Sequence, residues 1–352
     1  MKDYIKELIV KLCATPSVSG FEKRALDDIS EMLAPEFDEI RRTVLGNLIL
    51  IKKCGKEKAP LLLVDTHLDE IGMMVTRVCE KGFLKFAAVG GIDTRILSGA
   101  DVTVYGKEPV RGVITARAPH LMSADERGKN PDIEKLYIDT GVDSDKLAEI
   151  VDIGTPVCFE YKTTELLNNR LASHGLDNKA CIAAGAAAVK MLEGEKFDCD
   201  IALMLSAREE LGGATGAVTG TFELMPDVAI VLDVNFGFIP ENPGADVAAY
   251  RRTVELGEGA AISFSAVTDR ALTRRLIEIA QDEEIAHQTI VEAGSTGTNA
   301  DRLALVGEGI PTAVVSVPLH NMHTYSEVVS VDDIYECARL VSALAKRGVV
   351  GE

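Results

Sequence analysis

Residues 60–69 read PLLLVDTHLD, an apolar run that ends in His67 and Asp69. The four consecutive apolar side chains after Pro60 predict a strand that is buried on both faces, as in the middle of a parallel sheet. Residues two positions apart on a strand point to the same side, so we expect His67 and Asp69 to share a side. A metal-binding imidazole needs its second ring nitrogen held by a partner, and Asp69 is a candidate for this role. Taken alone, the pair is more typical of an ordinary surface turn.

Apolar strands and amphipathic helices alternate on both sides of the central insert described below. After the insert, residues 200–206, 227–233 and 312–317 read as strands, while residues 178–192 and 331–346 read as helices. Strands that alternate with helices predict an α/β fold in which helices cover both faces of a mixed sheet.

Residues 73–165 have a different pattern. They consist mainly of short β-like pieces separated by glycines and charged turns, with one short helix predicted at residues 143–150. We therefore expect a small β-rich domain inserted into the chain. The larger domain is then discontinuous and comprises residues 1–72 and 166–352.

The composition restricts the expected partners and location of the protein. The 352 residues carry a formal net charge of -18, which disfavours binding to nucleic acid or to anionic membranes. No apolar run reaches the roughly 18 residues of a membrane span, and no signal-peptide core follows Met1, so we expect a cytoplasmic protein. The 7 cysteines are widely spaced without a CxxC pair, which argues against a disulfide framework or a thiolate zinc site.

Four more segments place acidic or imidazole side chains next to predicted strands or helices. Glu209 and Glu210 follow one strand, Asp233 ends another, His323 follows a third, and Asp177 precedes a helix. The carboxyl ends of strands are where α/β sheets bind their ligands. Each residue also has an ordinary interpretation, such as a helix N-cap for Asp177 and surface charge for the glutamates. By spacing alone, His320 is as good a candidate as His323.

Together the candidates form a set of two histidines and three carboxylates. Such nitrogen and oxygen ligands suit zinc, cobalt or manganese, and they suffice for two cations about 3.5–4 Å apart, as in bimetallic hydrolases. Adjacent residues at a strand end point in different directions. One of the two glutamates can therefore bind metal while its neighbour transfers protons.

The chain resembles, over nearly its whole length, the tetrahedral, dodecameric aminopeptidases of the glutamyl-aminopeptidase type. These are dinuclear-metal exopeptidases, and some of them have been labelled endoglucanases. The resemblance rests on the order and spacing of several motifs and not on any single one. The motifs are PSVSGFE at residues 16–22, HLD at 67–69, PHLMS at 119–123, LDN at 176–178, EELG at 209–212, LDV at 232–234 and HTYSE at 323–327.

The resemblance implies a role for each candidate residue. The implied metal ligands are Asp177 as the bridge between two ions, His67 and Asp233 at one ion, and Glu210 and His323 at the other. Glu209 would be the general base and acid, and Asp69 would orient His67. The inserted domain would mediate dimerisation, and six dimers would build a hollow tetrahedral particle.

The chain departs from the family pattern in several places. Lys179 stands where an arginine usually follows the Asp-Asn pair, and Thr324-Tyr325 replaces the usual Ser-Pro after His323. Residues 235–238 and 294–301 are also atypical. Because the implied ligands are intact, these departures concern the shape of the substrate pocket, and the preferred N-terminal residue stays open.

These observations predict a metal-dependent aminopeptidase that removes N-terminal residues from peptides. It would use two divalent metal ions, zinc or cobalt before manganese. A deacylase or carboxypeptidase of the same clan is the first alternative. A glycosidase with a carboxylate pair is the second, and the 5% aromatic content argues against it because sugar sites usually offer stacking surfaces. A non-catalytic assembly protein is the third, and the complete ligand set argues against it.

Overall fold

The computed structural model describes residues 1–123, 129–160, 162–239 and 254–349. Within these residues the strands form one mixed sheet of 11 strands and one closed barrel. The predicted α/β fold with a mixed sheet and a separate small β-rich unit is therefore confirmed. In the same described ranges, no helix has the length and apolar character needed to cross a membrane.

Four parallel strands form the centre of the large sheet. In spatial order they are β12 (Asp200–Ser206), β3 (Leu61–His67), β13 (Val228–Phe236) and β16 (Thr312–His320). Each is parallel to its neighbour in this group. Their carboxyl ends therefore lie at the same edge of the sheet.

The burial of β3 explains its uninterrupted apolar sequence. Leu62 and Val64 belong to one apolar cluster, whereas Leu63 belongs to a second. Alternate side chains of a strand point to opposite faces, so both faces of β3 are covered by apolar atoms. The run from Leu62 to His67 is buried at every position.

The remaining strands of the large sheet are mostly antiparallel and lie towards its edges. On one side these are β2 (Leu48–Lys52) and β1 (Glu39–Arg42), and on the other β17 (Glu327–Ser330), β11 (Arg170–Ser173) and β10 (Thr164–Leu166). Two further strands, β14 (Ala260–Ser265) and β15 (His287–Glu292), extend from β16.

Eight α-helices occur among the described residues. They are α1 (Lys2–Cys13), α2 (Leu26–Leu33), α3 (Ser144–Ile150), α4 (Leu176–Lys190), α5 (Thr215–Leu224), α6 (Arg270–Asp282), α7 (Ala300–Leu303) and α8 (Val331–Arg347). Residues of α1, α4, α6 and α8 belong to the first apolar cluster of the sheet, and residues of α5 and α7 belong to the second.

The barrel has its own apolar core. Its strands, in order around the barrel, are β4 (Gly72–Val78), β5 (Phe83–Val89), β8 (Tyr137–Asp139), β7 (Pro109–Thr115), β6 (Asp101–Tyr105) and β9 (Pro156–Phe159), and each neighbouring pair is antiparallel. Val75, Phe86, Val104 and Ile138 fill the interior together with Leu147 of α3. Because β10 pairs with β11 of the large sheet, the chain has left the barrel by residue 164.

Candidate active site

The register of the central strands brings distant residues together. Ser206 at the end of β12 is paired with His67 at the end of β3, and Asp233 of β13 is paired with Ser316 of β16. Since these strands are parallel, the loops that follow them leave the sheet at one edge. The loop after β12 carries Glu210, and the loop after β16 carries His323.

Asp177 reaches this edge from the start of α4. Gly175 precedes the helix with a φ of +69°, a left-handed conformation that favours glycine. Gly175, and not Asp177, is the N-cap residue of α4, so the structure does not place Asp177 at the N-cap position. Asn178, joined to Asp177 by a cis peptide bond, donates a hydrogen bond of 3.0 Å to the main-chain oxygen of Leu232. This contact fastens the helix start to β13.

The two carboxylate oxygens of Asp177 face two different groups. Its Oδ1 lies 3.1 Å from Nε2 of His67, which is also 3.6 Å from Oδ1 of Asp233. Its Oδ2 lies 3.4 Å from Nε2 of His323, which is also 3.4 Å from Oε2 of Glu210. The structure therefore brings all five predicted metal ligands together, with Asp177 between the two pairs.

The chemistry of these donor atoms fits divalent cations. Donor atoms of His67, Asp177 and Glu210 all lie within 4.8 Å of one another. Carboxylate oxygens and imidazole nitrogens are the ligands used by catalytic zinc sites and related metal sites. Buried carboxylates are costly without a positive partner, and metal ions are a usual partner.

Electrostatic coupling between the histidines and Asp177 is strong. Burial opposes ionisation of Asp177, but the hydrogen bonds from His323 and His67 lower its pKa below the usual carboxyl value. Burial alone would lower the pKa of His67, yet the contacts with Asp177 and Asp233 raise it well above the usual imidazole value. These contacts favour the protonated form of the His67 imidazole in the metal-free protein, and a cation would have to displace that proton.

Glu209 lines the same cavity as the five ligands. Burial raises the pKa of its carboxyl group to about 8, and the nearby carboxylates of Asp233 and Asp177 raise it while His67 opposes them. A carboxyl group that gains and loses a proton close to neutral pH suits general acid–base catalysis.

The sequence suggests that the carboxylate of Asp69 pairs with the imidazole of His67, but the structure shows a different set of contacts for Asp69. Nδ1 of His67 lies 2.9 Å from the main-chain oxygen of Asp69 and 3.8 Å from its carboxylate. The carboxylate instead accepts the backbone N–H groups of Glu209 and Glu210 at 2.9 and 3.0 Å. Strand β3 ends at His67, so strict alternation of side chains no longer holds at Asp69.

Glu327 is a buried residue that sequence reasoning did not single out. Its Oε2 accepts the backbone N–H of Asp177 at 3.0 Å, and its Oε1 accepts the backbone N–H of His323 at 3.0 Å. One carboxylate therefore holds the backbones of two ligand residues that are far apart in the chain. Its appearance in the HTYSE motif was the only signal in the sequence.

A buried ion pair involves the unusual Lys179. Its Nζ lies 2.7 Å from Oε2 of Glu70 and donates to the main-chain oxygen of Thr15 at 3.0 Å. Oε1 of Glu70 accepts the backbone N–H of Ser17 at 2.8 Å. Lys179 thus joins the start of α4 to the segment that follows α1 and to the loop that follows β3.

His320 and His174 contact groups other than the side chains of the candidate metal ligands. Nε2 of His320 is 3.0 Å from the main-chain oxygen of Phe238. His174 is buried, with Nε2 at 3.5 Å from Glu70. Of the two histidines that spacing left open, His323 is therefore the one that contacts the carboxylates.

Known proteins share both the sequence pattern and the fold. The model of the M42 glutamyl aminopeptidase family matches residues 46–340. A lysyl aminopeptidase from Pyrococcus furiosus is 31% identical over 343 residues, with 96% of each chain covered. A TET aminopeptidase structure from the marine sediment archaeon Thaumarchaeota archaeon SCGC AB-539-E09 has a TM-score of 0.89 at 27% identity, covering 98% of this chain and 96% of that one.

A third similar protein is the TET1 peptidase of Pyrococcus horikoshii, which can assemble into a tetrahedron or a large octahedral shell. Its structure has a TM-score of 0.82 at 28% identity, covering 97% of this chain and 99% of that one. The fold and these likenesses define an aminopeptidase, a hydrolase of peptide bonds. The chain belongs to the M42 glutamyl aminopeptidase family, and the predicted resemblance is confirmed.

Proposed function

We propose that this aminopeptidase removes N-terminal residues from peptides with two divalent metal ions held by His67, Asp177, Glu210, Asp233 and His323. The placement of Asp177 carries the proposal, because one of its oxygens faces His67 and the other faces His323. Zinc and cobalt are the expected metals, with manganese as a further option, since all three accept these ligands.

The proposed mechanism assigns separate roles to the metal ions, to Glu209 and to Asp69. When bound, two cations lower the pKa of a water molecule and polarise the scissile carbonyl group. Glu209 accepts the proton of the attacking water and then donates it to the nitrogen of the leaving amine, as the C–N bond breaks. Asp69 holds the backbone of Glu209 and thereby positions its carboxyl group.

The likeness to known aminopeptidases supports exopeptidase action. The matching family and the 31% identical relative are aminopeptidases, so the free amino terminus of the peptide is expected to bind beside the metal ligands. We therefore expect cleavage after the first residue and not within the peptide.

Metal removal and reconstitution test this function. The protein is stripped with a chelator and reloaded with zinc, cobalt or manganese, and hydrolysis of aminoacyl anilides and bound metal are measured. We expect activity to disappear with the metal and to return with about two ions per chain. Activity that survives complete removal of the metal would contradict the proposal. Asp177→Asn should lower the number of bound ions.

We propose the following organisation of the chain. Residues 1–72 and 166–352 form a discontinuous catalytic domain, and residues 73–165 form an inserted dimerisation domain. Helices cover both faces of the large sheet, which is supported by the separate apolar clusters of α4 with α8 and of α5 with α7.

The structural relatives that form closed shells support a homo-oligomer, with six dimers in a dodecamer. The cytoplasm is the proposed location, with neither nucleic acid nor membrane as a partner.

A further inference from the structure

The inserted barrel reaches the candidate active site through two adjacent glycines. Strand β5 ends at Val89, and Gly90 and Gly91 follow it. A methyl group added at Gly91 would lie 3.0 Å from Nδ1 of His323. One added at Gly90 would lie 3.5 Å from Oε2 of Glu210. Gly91 also lines the cavity that contains the five proposed ligands, so the barrel forms part of the wall around the site.

Gly91 contacts the side of the His323 ring that faces away from the carboxylates. Nε2 of His323 lies 3.4 Å from Asp177 and 3.4 Å from Glu210, so it is the nitrogen that faces a cation. The hydrogen bond to Asp177 raises the pKa of His323 although burial lowers it, and the main chain of Gly91 raises it further. A main-chain group that raises the pKa of an imidazole is a carbonyl oxygen, because an acceptor favours the protonated ring.

His67 has the same arrangement at its two ring nitrogens. Its Nε2 lies 3.1 Å from Asp177, and its Nδ1 lies 2.9 Å from the main-chain oxygen of Asp69. A metal-binding imidazole usually donates its other N–H to an oxygen, which fixes the tautomer and the direction of the ring. The side chain of His67 is only 2% exposed, whereas that of His323 is 37% exposed and its φ is +62°. Because less protein surrounds His323, its orientation depends more on the carbonyl group beside Nδ1.

We propose that Gly91 is a positioning residue, contributed by the barrel, that orients His323 towards the metal ion shared with Glu210. The inference rests on the proposed function, because it takes His323 to be a metal ligand. The carbonyl oxygen of Gly91 accepts the Nδ1–H group, which leaves Nε2 without a proton and free to bind the cation. Of the two ions, the one held by Glu210 and His323 is therefore the one that depends on the barrel.

The substitution Gly91→Ala tests this role with metal binding as the readout. The φ of Gly91 is not in the left-handed region, so alanine fits the backbone, but its methyl group would displace the ring of His323. Zinc is titrated into the metal-free protein by calorimetry, and bound zinc is counted after dialysis. We expect one ion to bind as in the parent and the other to bind about 10- to 100-fold more weakly. Two ions with parental affinities would overturn the inference.

Gly294→Ala is the matched control. Its φ is also outside the left-handed region, and a methyl group added there meets nothing within 4 Å. Both ions should keep the affinities of the parent in this variant.

A double variant distinguishes an effect on the ring of His323 from a general disturbance of the barrel. In a His323→Ala background the displaced ring is absent, so Gly91→Ala should cause no further loss of zinc affinity. An equal loss with and without the imidazole would show that Gly91 does not act through His323 and would overturn the inference.

A measurement on the unmodified protein does not depend on the folding of any variant. In a crystal structure of the zinc-loaded protein, we expect Nδ1 of His323 within about 3.2 Å of the carbonyl oxygen of Gly91. A water molecule or another acceptor at Nδ1 overturns the inference alone. A parent protein that takes up no divalent metal overturns the proposed function as well.

Discussion

Two buried carboxylates hold the backbone of the candidate active site. Asp69 accepts the N–H groups of Glu209 and Glu210, and Glu327 accepts those of Asp177 and His323. Each carboxylate uses both oxygens: Asp69 holds the loop after β12 at two points, whereas Glu327 holds the start of α4 at one point and the loop after β16 at another. Because such contacts fix the direction of side chains around a metal, they affect metal affinity without contributing a ligand.

The contact made by Glu327 leads to a test of metal retention. In Glu327→Gln one oxygen becomes an NH2 group, which cannot accept an N–H, so one of the two backbone contacts is lost. We expect metal affinity to fall about 10- to 100-fold while the fold is kept. Metal content after dialysis and circular dichroism measure the two effects. Unchanged metal content would show that Glu327 does not position the ligands. Glu308→Gln is the control, because it removes the same charge from an exposed position and should leave the metal content unchanged.

Glu209 is the proposed general base, and its removal should affect chemistry and not metal binding. We expect Glu209→Gln to lower kcat by about 10²- to 10⁴-fold, because general acid–base catalysis contributes factors of this size. The measurements are steady-state hydrolysis and metal content of the same sample. Unchanged turnover with full metal content would remove Glu209 from this role.

The raised pKa of His67 predicts a pH dependence of metal binding. Despite burial, the contacts with Asp177 and Asp233 favour the protonated imidazole in the metal-free protein, and a bound cation must displace that proton. Metal affinity should therefore rise with pH, by about tenfold per pH unit for each displaced proton, until the pH passes the pKa of His67. Calorimetry in two buffers of different ionisation enthalpy measures the proton release.

A further variant tests whether the carboxylate of Asp233 raises the pKa of His67. Asp233→Asn removes one of the carboxylates that raise the pKa of His67, so an NMR titration of the metal-free variant should give a lower pKa for this imidazole than the parent protein does. Metal binding that is independent of pH between about 6 and 8 in the parent protein would contradict the assignment.

At the scale of elements, α4 packs unusually close to the sheet. A methyl group added at Gly185 would lie 2.5 Å from Cδ1 of Leu203 on β12. We expect Gly185→Val to lower the free energy of unfolding by about 1–3 kcal/mol, because the core has no room for the larger side chain. Combining it with Leu203→Ala should recover part of this loss. Simple additivity of the two changes in chemical denaturation would contradict direct contact.

The sequence predicted elements of seven residues better than strands of four residues. The strand at residues 200–206 and the short helix predicted at 143–150 agree with β12 and α3. Strands β11 and β17, with four residues each, gave no recognisable pattern. A four-residue strand contains two residues per face, too few for alternation to be distinguished from a loop.

At the scale of the whole molecule, the proposed assembly can be tested at the barrel. Val113 and Ile153 are apolar barrel residues that are 42% and 73% exposed. If the barrel mediates dimerisation, Val113→Glu and Ile153→Glu should shift the particle towards monomers of 37.8 kDa. Mass photometry measures the distribution for the parent, for which a mass twelve times larger is expected.

Phe222 on α5 provides a matched control outside the barrel, since it is 69% exposed. Phe222→Glu adds the same charge and removes a similar apolar surface, but dimers should persist. Monomers in this variant, together with intact dimers in both barrel variants, would place the dimer contact on the large sheet domain instead.

The sequence by itself determined which strands are buried and which polar residues follow them, because burial and alternation are local properties of the chain. The tertiary structure alone decided which atoms meet. The two sides of Asp177 and the contact between Glu327 and the backbone of Asp177 depend on bringing together segments that are more than 100 residues apart in sequence. Such pairings follow from strand register and crossover connections, which no local pattern specifies.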